Sequence, residues 1–135
     1  MLPKNERLRR AKDFALLSQK GRVVYSPFYA LRIRASQEPT KVGFVTSAKV
    51  FKTAVARNRG KRRMRDILRL LKAEWPTKMD ILFILKLEVL KADFSELQAM
   101  VRRSFEKIPE AMSKPPTPRK LKARKKSSVV YKNES

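Results

Sequence analysis

Residues 53–75 read T-A-V-A-R-N-R-G-K-R-R-M-R-D-I-L-R-L-L-K-A-E-W, from Thr53 to Trp75. Thr53 is a residue type whose hydroxyl caps a helix, and Trp75 precedes Pro76, which ends one. At 100° per residue, Met64, Ile67, Leu68, Leu71 and Trp75 fall on one apolar stripe. In the first turns the stripe positions go instead to Arg57, Gly60 and Lys61. The second half is therefore built to dock on a core. The first half is basic nearly all round, and Gly60 marks a place for close backbone approach. Arg57, Arg59, Lys61, Arg62, Arg63, Arg65 and Arg69 crowd into fewer than four turns, with Asp66 the only acid before Glu74. Like charges at four-residue spacing repel, so this helix calls for a polyanion.

The rest of the composition agrees. The chain of 135 residues carries a formal charge of +22, the electrostatic signature of a nucleic-acid binder. A membrane is the weaker partner. The longest strictly apolar run is Ile81 to Leu85, far below the roughly 20 residues that span a bilayer. The N-terminus lacks the apolar core of a secretory signal, so a cytoplasmic location is expected. There is no His and no Cys, which removes the commonest general base, the thiol nucleophile and the commonest zinc ligands. The 12 acids are scattered, with no local cluster resembling a two-metal nuclease site. The reading is a binding protein with neither catalytic side chains nor a metal site of its own.

Outward from the basic helix, Leu8–Lys20 is predicted to be a short helix with Ala11, Phe14 and Leu17 inward and Gly21 as a left-handed cap. Val23–Ala35 is strand-like, with a break or bulge at Pro27. From Phe28 it alternates: Tyr29, Leu31, Ile33 and Ala35 on a core face, Phe28, Ala30, Arg32 and Arg34 on the other. That second face suits either a stacking and phosphate platform for single-stranded nucleic acid or an ordinary solvated sheet face with one exposed Phe. Lys41–Ser47 is the next strand, and Ala48–Lys52 either extends it or forms another. Asp80–Leu90, nearly all apolar, is a central strand covered on both sides. Asp93, with Glu96 three residues on, opens a last helix whose stripe is Phe94, Leu97, Val101 and Phe105 or Ile108. Pro109 begins the end of the domain. Residues 113–135 carry prolines and a net +7 of the +22, leaving +15 on residues 1–112. The expected organisation is a folded domain over 1–112 and a flexible basic tail over 113–135.

Within this order, the segment S-A-K-V-F-K-T-A-V-A-R-N-R-G-K-R-R-M-R-D (47–66) resembles the protein component of bacterial ribonuclease P, whose pattern is roughly S-K-K-x-G-x-A-V-x-R-N-R-x-K-R-x-x-R-E. Ser47, Lys49, Ala54, Val55, Arg57, Asn58, Arg59, Lys61, Arg62 and Arg65 match, and Asp66 replaces Glu. Asp13-Phe14, Gly21, Val42-Gly43 and Asp80 agree in the flanks. The sequence departs from the pattern at Ala48 (usually Lys), Phe51 (usually Gly), Ser18 (often aromatic) and Lys86 (usually Arg).

The resemblance implies an α/β (α+β sandwich) domain, ribosomal protein S5 domain 2-like, in the order α-β-β-β-α-β-α with a left-handed crossover. It implies a subunit of ribonuclease P that binds the catalytic RNA and the 5′ leader of precursor tRNA, with catalysis by the RNA and Mg²⁺ held mainly by it. The expected RNA-binding residues are Arg57, Asn58, Arg59, Lys61, Arg62, Arg63, Arg65 and Lys49. The expected leader cleft comprises Phe14, Phe28, Arg32 and Lys86. No obligate protein partner is expected. The competing reading is a basic structural RNA- or DNA-binding protein of ribosomal or nucleoid type.

Overall fold

The computed structural model describes residues 6–116. Its elements are α1 (Ala11–Lys20), β1 (Arg22–Tyr25), β2 (Tyr29–Ala35), β3 (Lys41–Val45), α2 (Ala54–Leu70), β4 (Met79–Leu85) and α3 (Phe94–Met112). Short 3-10 turns lie at Lys72–Glu74 and Leu87–Leu90. The mixed sheet has the order β1-β2-β4-β3, with β3 parallel to β4 and the other pairs antiparallel. The order of elements is the expected one, and the architecture is the expected mixed α/β type.

Strand alternation divides the sheet into two faces. Tyr29, Leu31 and Ile33 of β2 and Ile81, Phe83 and Leu85 of β4 point to a large core. That core is closed by Met64, Ile67, Leu68 and Leu71 from α2 and its end, and by Leu97, Val101 and Ile108 from α3. The apolar stripe of 53–75 thus buries as expected. Trp75 is half-buried, with its indole N–H donating to the Leu68 carbonyl at 3.0 Å. The Tyr29 hydroxyl sits in this core against Ser104 Oγ at 2.6 Å, and burial pushes its pKa up to about 12. On the opposite face α1 covers a smaller cluster of Leu8, Leu17, Val45 and Leu82.

Several local expectations are corrected. Helix α1 begins at Ala11 because Leu8 is held in extended chain by its N–H to the Val42 carbonyl (3.0 Å). Gly21 is not left-handed: its φ is −74°. A glycine is needed there for space, since a Cβ would stand 2.4 Å from the Leu17 carbonyl oxygen. The stretch 23–35 divides into β1 and β2 around Ser26–Phe28, where Ser26 Oγ accepts from the Phe28 and Tyr29 N–H groups. Residues 48–50 are a turn rather than strand. β4 stops at Leu85, which pairs with the first residue of β2, so the chain beyond has no partner strand. Asp93 precedes α3 without a side-chain cap bond, and α3 continues past Pro109 to Met112. The expected tail lies, from residue 117 onward, outside the described residues.

Candidate nucleic-acid interface

The register places one edge of the sheet beside the basic helix. Tyr25, Ala30, Ile84 and Val45 form a single row across β1, β2, β4 and β3. β3 and β4 both run toward this row, so the loops that follow them, 46–53 and 86–93, leave from the same end. The carboxyl ends of parallel strands are where open α/β sheets commonly bind ligands. Here the first loop carries Lys49 and Lys52 to the start of α2, and the second packs Val89 against Gly60 of that helix.

Helix α2 is set by its N-cap: Thr53 Oγ1 accepts from the Ala56 N–H at 3.1 Å. Its cations then fall into two groups. Asn58, Arg59 and Arg62 are exposed and Arg65 is half-exposed. None of these four has a side-chain hydrogen bond or ion pair to another described residue. Arg69 pairs only loosely with Asp66, at 3.7 Å. Together they make a stripe about 15 Å long, at a rise of roughly 1.5 Å per residue, whose charges have no counter-ion among the described residues beyond Asp66.

The second group is held by the protein. Arg57 Nη1 donates to the Phe51 carbonyl at 2.9 Å. The Arg63 guanidinium spans to the next loop, donating to the Val89 carbonyl at 2.8 Å and the Ala92 carbonyl at 2.5 Å. These two arginines act as struts that tie α2 to the loops on either side, and charge-assisted bonds of this kind are stronger than neutral ones. Lys61 is half-buried. Lys49 is exposed at the turn, where its backbone N–H bonds Ser47 Oγ at 3.1 Å.

Gly60 does not face an open polyanion surface. It is buried, and a Cβ there would lie 3.4 Å from both Phe51 Cε2 and Val89 Cγ1. Phe51, itself fully buried, occupies the space above the glycine. The close approach expected at Gly60 is therefore to a phenyl ring of the same chain.

The expected cleft residues separate. Phe14 is half-buried beside Leu17, Leu82 and Ile84 on the α1 face. Lys86 is exposed just beyond the end of β4, and its ammonium donates to the Ser26 carbonyl at 3.0 Å. Arg32 lies on the same face but is only 5% exposed. Its Nε donates to the Leu17 carbonyl at 3.0 Å and Nη2 to the Ser18 carbonyl at 3.2 Å. These are carbonyls of the last turn of α1, so the guanidinium caps the negative end of that helix. Phe28 leaves the group: it precedes β2 and packs against the larger core, on the face carrying α2 and α3. Strand alternation was extended one residue too far there, across a turn built by Ser26. The α1 face also carries Tyr25, 72% exposed. Sequence reading missed it because the Pro27 break hides that its register places it beside Ala30.

Deeper under α1, Arg34 forms ion pairs with Asp13 (3.5 Å) and with Asp80. Arg10 holds the other oxygen of Asp13 at 3.1 Å. Asp80 is 2% exposed, and burial, with the nearby Asp13 charge, raises its pKa despite the Arg34 guanidinium. Among the described residues, no group of three or more acids or other ligating side chains converges to hold a metal. Nor is any helix among them long and apolar enough to cross a membrane.

Comparisons with known proteins place the chain in one family. The family model for Ribonuclease P matches residues 2–109. A ribonuclease P protein component of Chloroflexus aggregans is 38% identical over 99 residues, covering 72% of this chain and 73% of that protein. One from a Pseudanabaena species is 36% identical over 99 residues, covering 72% and 85%. Among solved structures, the RNase P protein from Thermotoga maritima superposes with a TM-score of 0.62 at 29% identity, covering 73% of this chain and 96% of that one. The Staphylococcus aureus RNase P protein, at 21% identity and a TM-score of 0.66, shares the fold, with 78% and 96% covered.

Proposed function

From the premise that this chain belongs to the ribonuclease P protein family and is a protein subunit of that ribonucleoprotein, we propose that it works as a two-surface adaptor. One surface is the outer stripe of α2. Arg59, Arg62 and Arg65, with Asn58 among them and Lys49 at the preceding turn, neutralise phosphates of the catalytic RNA. The observation that carries this reading is that the side chains of these cations have no partner among the described residues, while Arg57 and Arg63 hold the helix in place. A helix this basic is relieved of self-repulsion only by a polyanion.

The other surface is the uncovered part of the α1 face. Phe14 and Lys86 border it, and it receives the single-stranded 5′ leader of precursor tRNA by stacking and charge. Arg32 serves that surface indirectly, by fixing the end of α1 that carries Phe14. Hydrolysis of the phosphodiester belongs to the RNA, and Mg²⁺ is held there. The buried acids of this chain, Asp13 and Asp80, are already bound by Arg10 and Arg34 and form no cage for the ion. The work is expected in the cytoplasm, where tRNA precursors are made, and the basic residues 113–135 add a non-specific attraction to phosphate.

The test is reconstitution. Purified chain is added to a bacterial catalytic RNA at low Mg²⁺, and cleavage of precursor tRNA is followed. Stimulation that falls steeply with salt is expected, because phosphate neutralisation releases counterions. Absence of stimulation at every salt concentration would overturn the reading.

A further inference from the structure

The single-strand surface does not stop at the cleft. Tyr25 ends β1, one of the two edge strands of the sheet. Its register partner is Ala30, and the row continues through Ile84. Val24 points into the large core, so alternation turns Tyr25 to the α1 face. Ala30 and Ile84 are half-buried, and α1 covers the rows below them. The row is therefore a strip of partly open apolar surface, with Phe14 and Ile84 toward one end and Tyr25 at the other. Tyr25 is the most exposed aromatic side chain among the described residues, and its hydroxyl has no partner among them. A lone exposed aromatic is unremarkable. This one has cations on both sides.

Lys86 lies at the end of β4, next to the Ser26 turn that joins β1 to β2. Beyond β1, Tyr25 also borders a groove of 260 Å³ between that strand and the end of α3. Arg22, Lys107 and Lys114 line this groove, against a single acid, Glu110. Arg22 is anchored there, its Nε donating to the Lys114 carbonyl at 3.0 Å. A flat aromatic ring with basic side chains before and after it is the arrangement that binds a single strand without reading its sequence. A base stacks on the ring while the charges track the backbone.

We propose that Tyr25 and the basic groove of Arg22, Lys107 and Lys114 form a distal subsite for single-stranded RNA. It extends the path of the leader across β1 to the end of α3. The inference rests on the leader-binding reading above and adds a length requirement to it. A short leader ends before Tyr25, whereas a longer one stacks on it and passes its phosphates to the groove.

The experiment measures dissociation constants of the reconstituted ribonucleoprotein for precursor tRNAs whose leaders lengthen one nucleotide at a time. Wild-type, Tyr25→Ala, Tyr25→Phe and Lys107→Gln/Lys114→Gln chains are compared. Tyr25 is exposed, so its replacement leaves the fold intact, and a thermal melt checks this. Wild-type affinity should rise with leader length. Tyr25→Ala should weaken binding of the longer leaders by roughly 5- to 140-fold, the range for loss of one base stack. It should leave the shortest leaders unaffected, and Tyr25→Phe should keep the affinity. The double Gln variant should lower the salt dependence for long leaders only. Equal affinities of Tyr25→Ala and wild type at every length would overturn the inference while leaving the adaptor reading standing. So would a loss independent of length. A change in sedimentation of the free chain on Tyr25→Ala would assign the β1 edge to self-association and overturn it equally. Wild-type affinity indifferent to leader length would remove the underlying reading and the inference together.

Discussion

Arg62 and Arg63 are neighbours in sequence with opposite employment, and exchanging each for Gln separates them. Arg62 is exposed, and its side chain has no partner among the described residues. Its loss removes one phosphate contact and should reduce the slope of log K against log salt by about 1, at unchanged thermal stability. Arg63 holds the Val89 and Ala92 carbonyls. Each charged hydrogen bond of this type is worth about 1.5–3 kcal/mol, and Arg63 is half-buried, so the lower end applies. Gln can restore at most part of that. The net loss is on the order of 2 kcal/mol, which for a domain of about 100 residues lowers Tm by roughly 8 °C or more. The salt slope of Arg63→Gln should match wild type at temperatures where it is folded. The assays are RNA binding by fluorescence anisotropy across a salt series and thermal unfolding by circular dichroism. Should Arg63→Gln lower the salt slope as Arg62→Gln does while leaving Tm unchanged, the division of the helix into struts and phosphate ligands is wrong.

Three further outcomes follow from the packing, the buried charges and the chain end. Phe51→Ala removes a fully buried ring and should cost about 3–5 kcal/mol in urea unfolding, and Gly60→Leu should also destabilise by driving a side chain into that ring. The double variant should recover part of the loss, with a coupling of roughly 0.5–3 kcal/mol. Additive losses would show that the two positions do not share the space. Asp80 has a raised pKa in the fold, so the native state binds its proton more tightly than the unfolded chain. Stability should therefore fall as pH rises from the ordinary Asp value of 3.8 through the higher folded value. Asp80→Asn should flatten that segment of the stability–pH curve, and an unchanged curve would contradict the assignment. Truncation after Pro116 keeps the Arg22–Lys114 contact and should leave specific assembly intact while weakening binding at low salt. Loss of assembly at moderate salt would give residues 117–135 a larger part.

Much of the fold was legible because period and charge are local properties. The spacing of Met64, Ile67, Leu68 and Leu71 fixes which side of α2 is buried whatever it is buried against. Likewise, alternation in 29–35 separates Tyr29, Leu31 and Ile33 from Arg34. Element ends were less legible, because they depend on partners. β4 stops where β2 has no more residues to pair with, and α3 passes Pro109 while its last turns, through Ile108 and Ala111, are packed on the core.

The candidate site shows the same boundary between what is local and what is not. The sequence by itself determined that this chain is a nucleic-acid binder, because an excess of cations on 53–75 cannot be neutralised locally. It also determined the family, through the spacing of Arg57, Asn58, Arg59, Lys61 and Arg62. Only the tertiary structure decided which of those cations remain available. Arg57 and Arg63 find carbonyls at Phe51, Val89 and Ala92, and Arg32 finds the end of α1. A guanidinium's charge is written in the chain, but the acceptor it meets comes from a segment that only folding brings within 3 Å. For the same reason Gly60, which reads as room for RNA, is room for Phe51, and Tyr25, which reads as the end of a strand, lies on the open face beside Ala30.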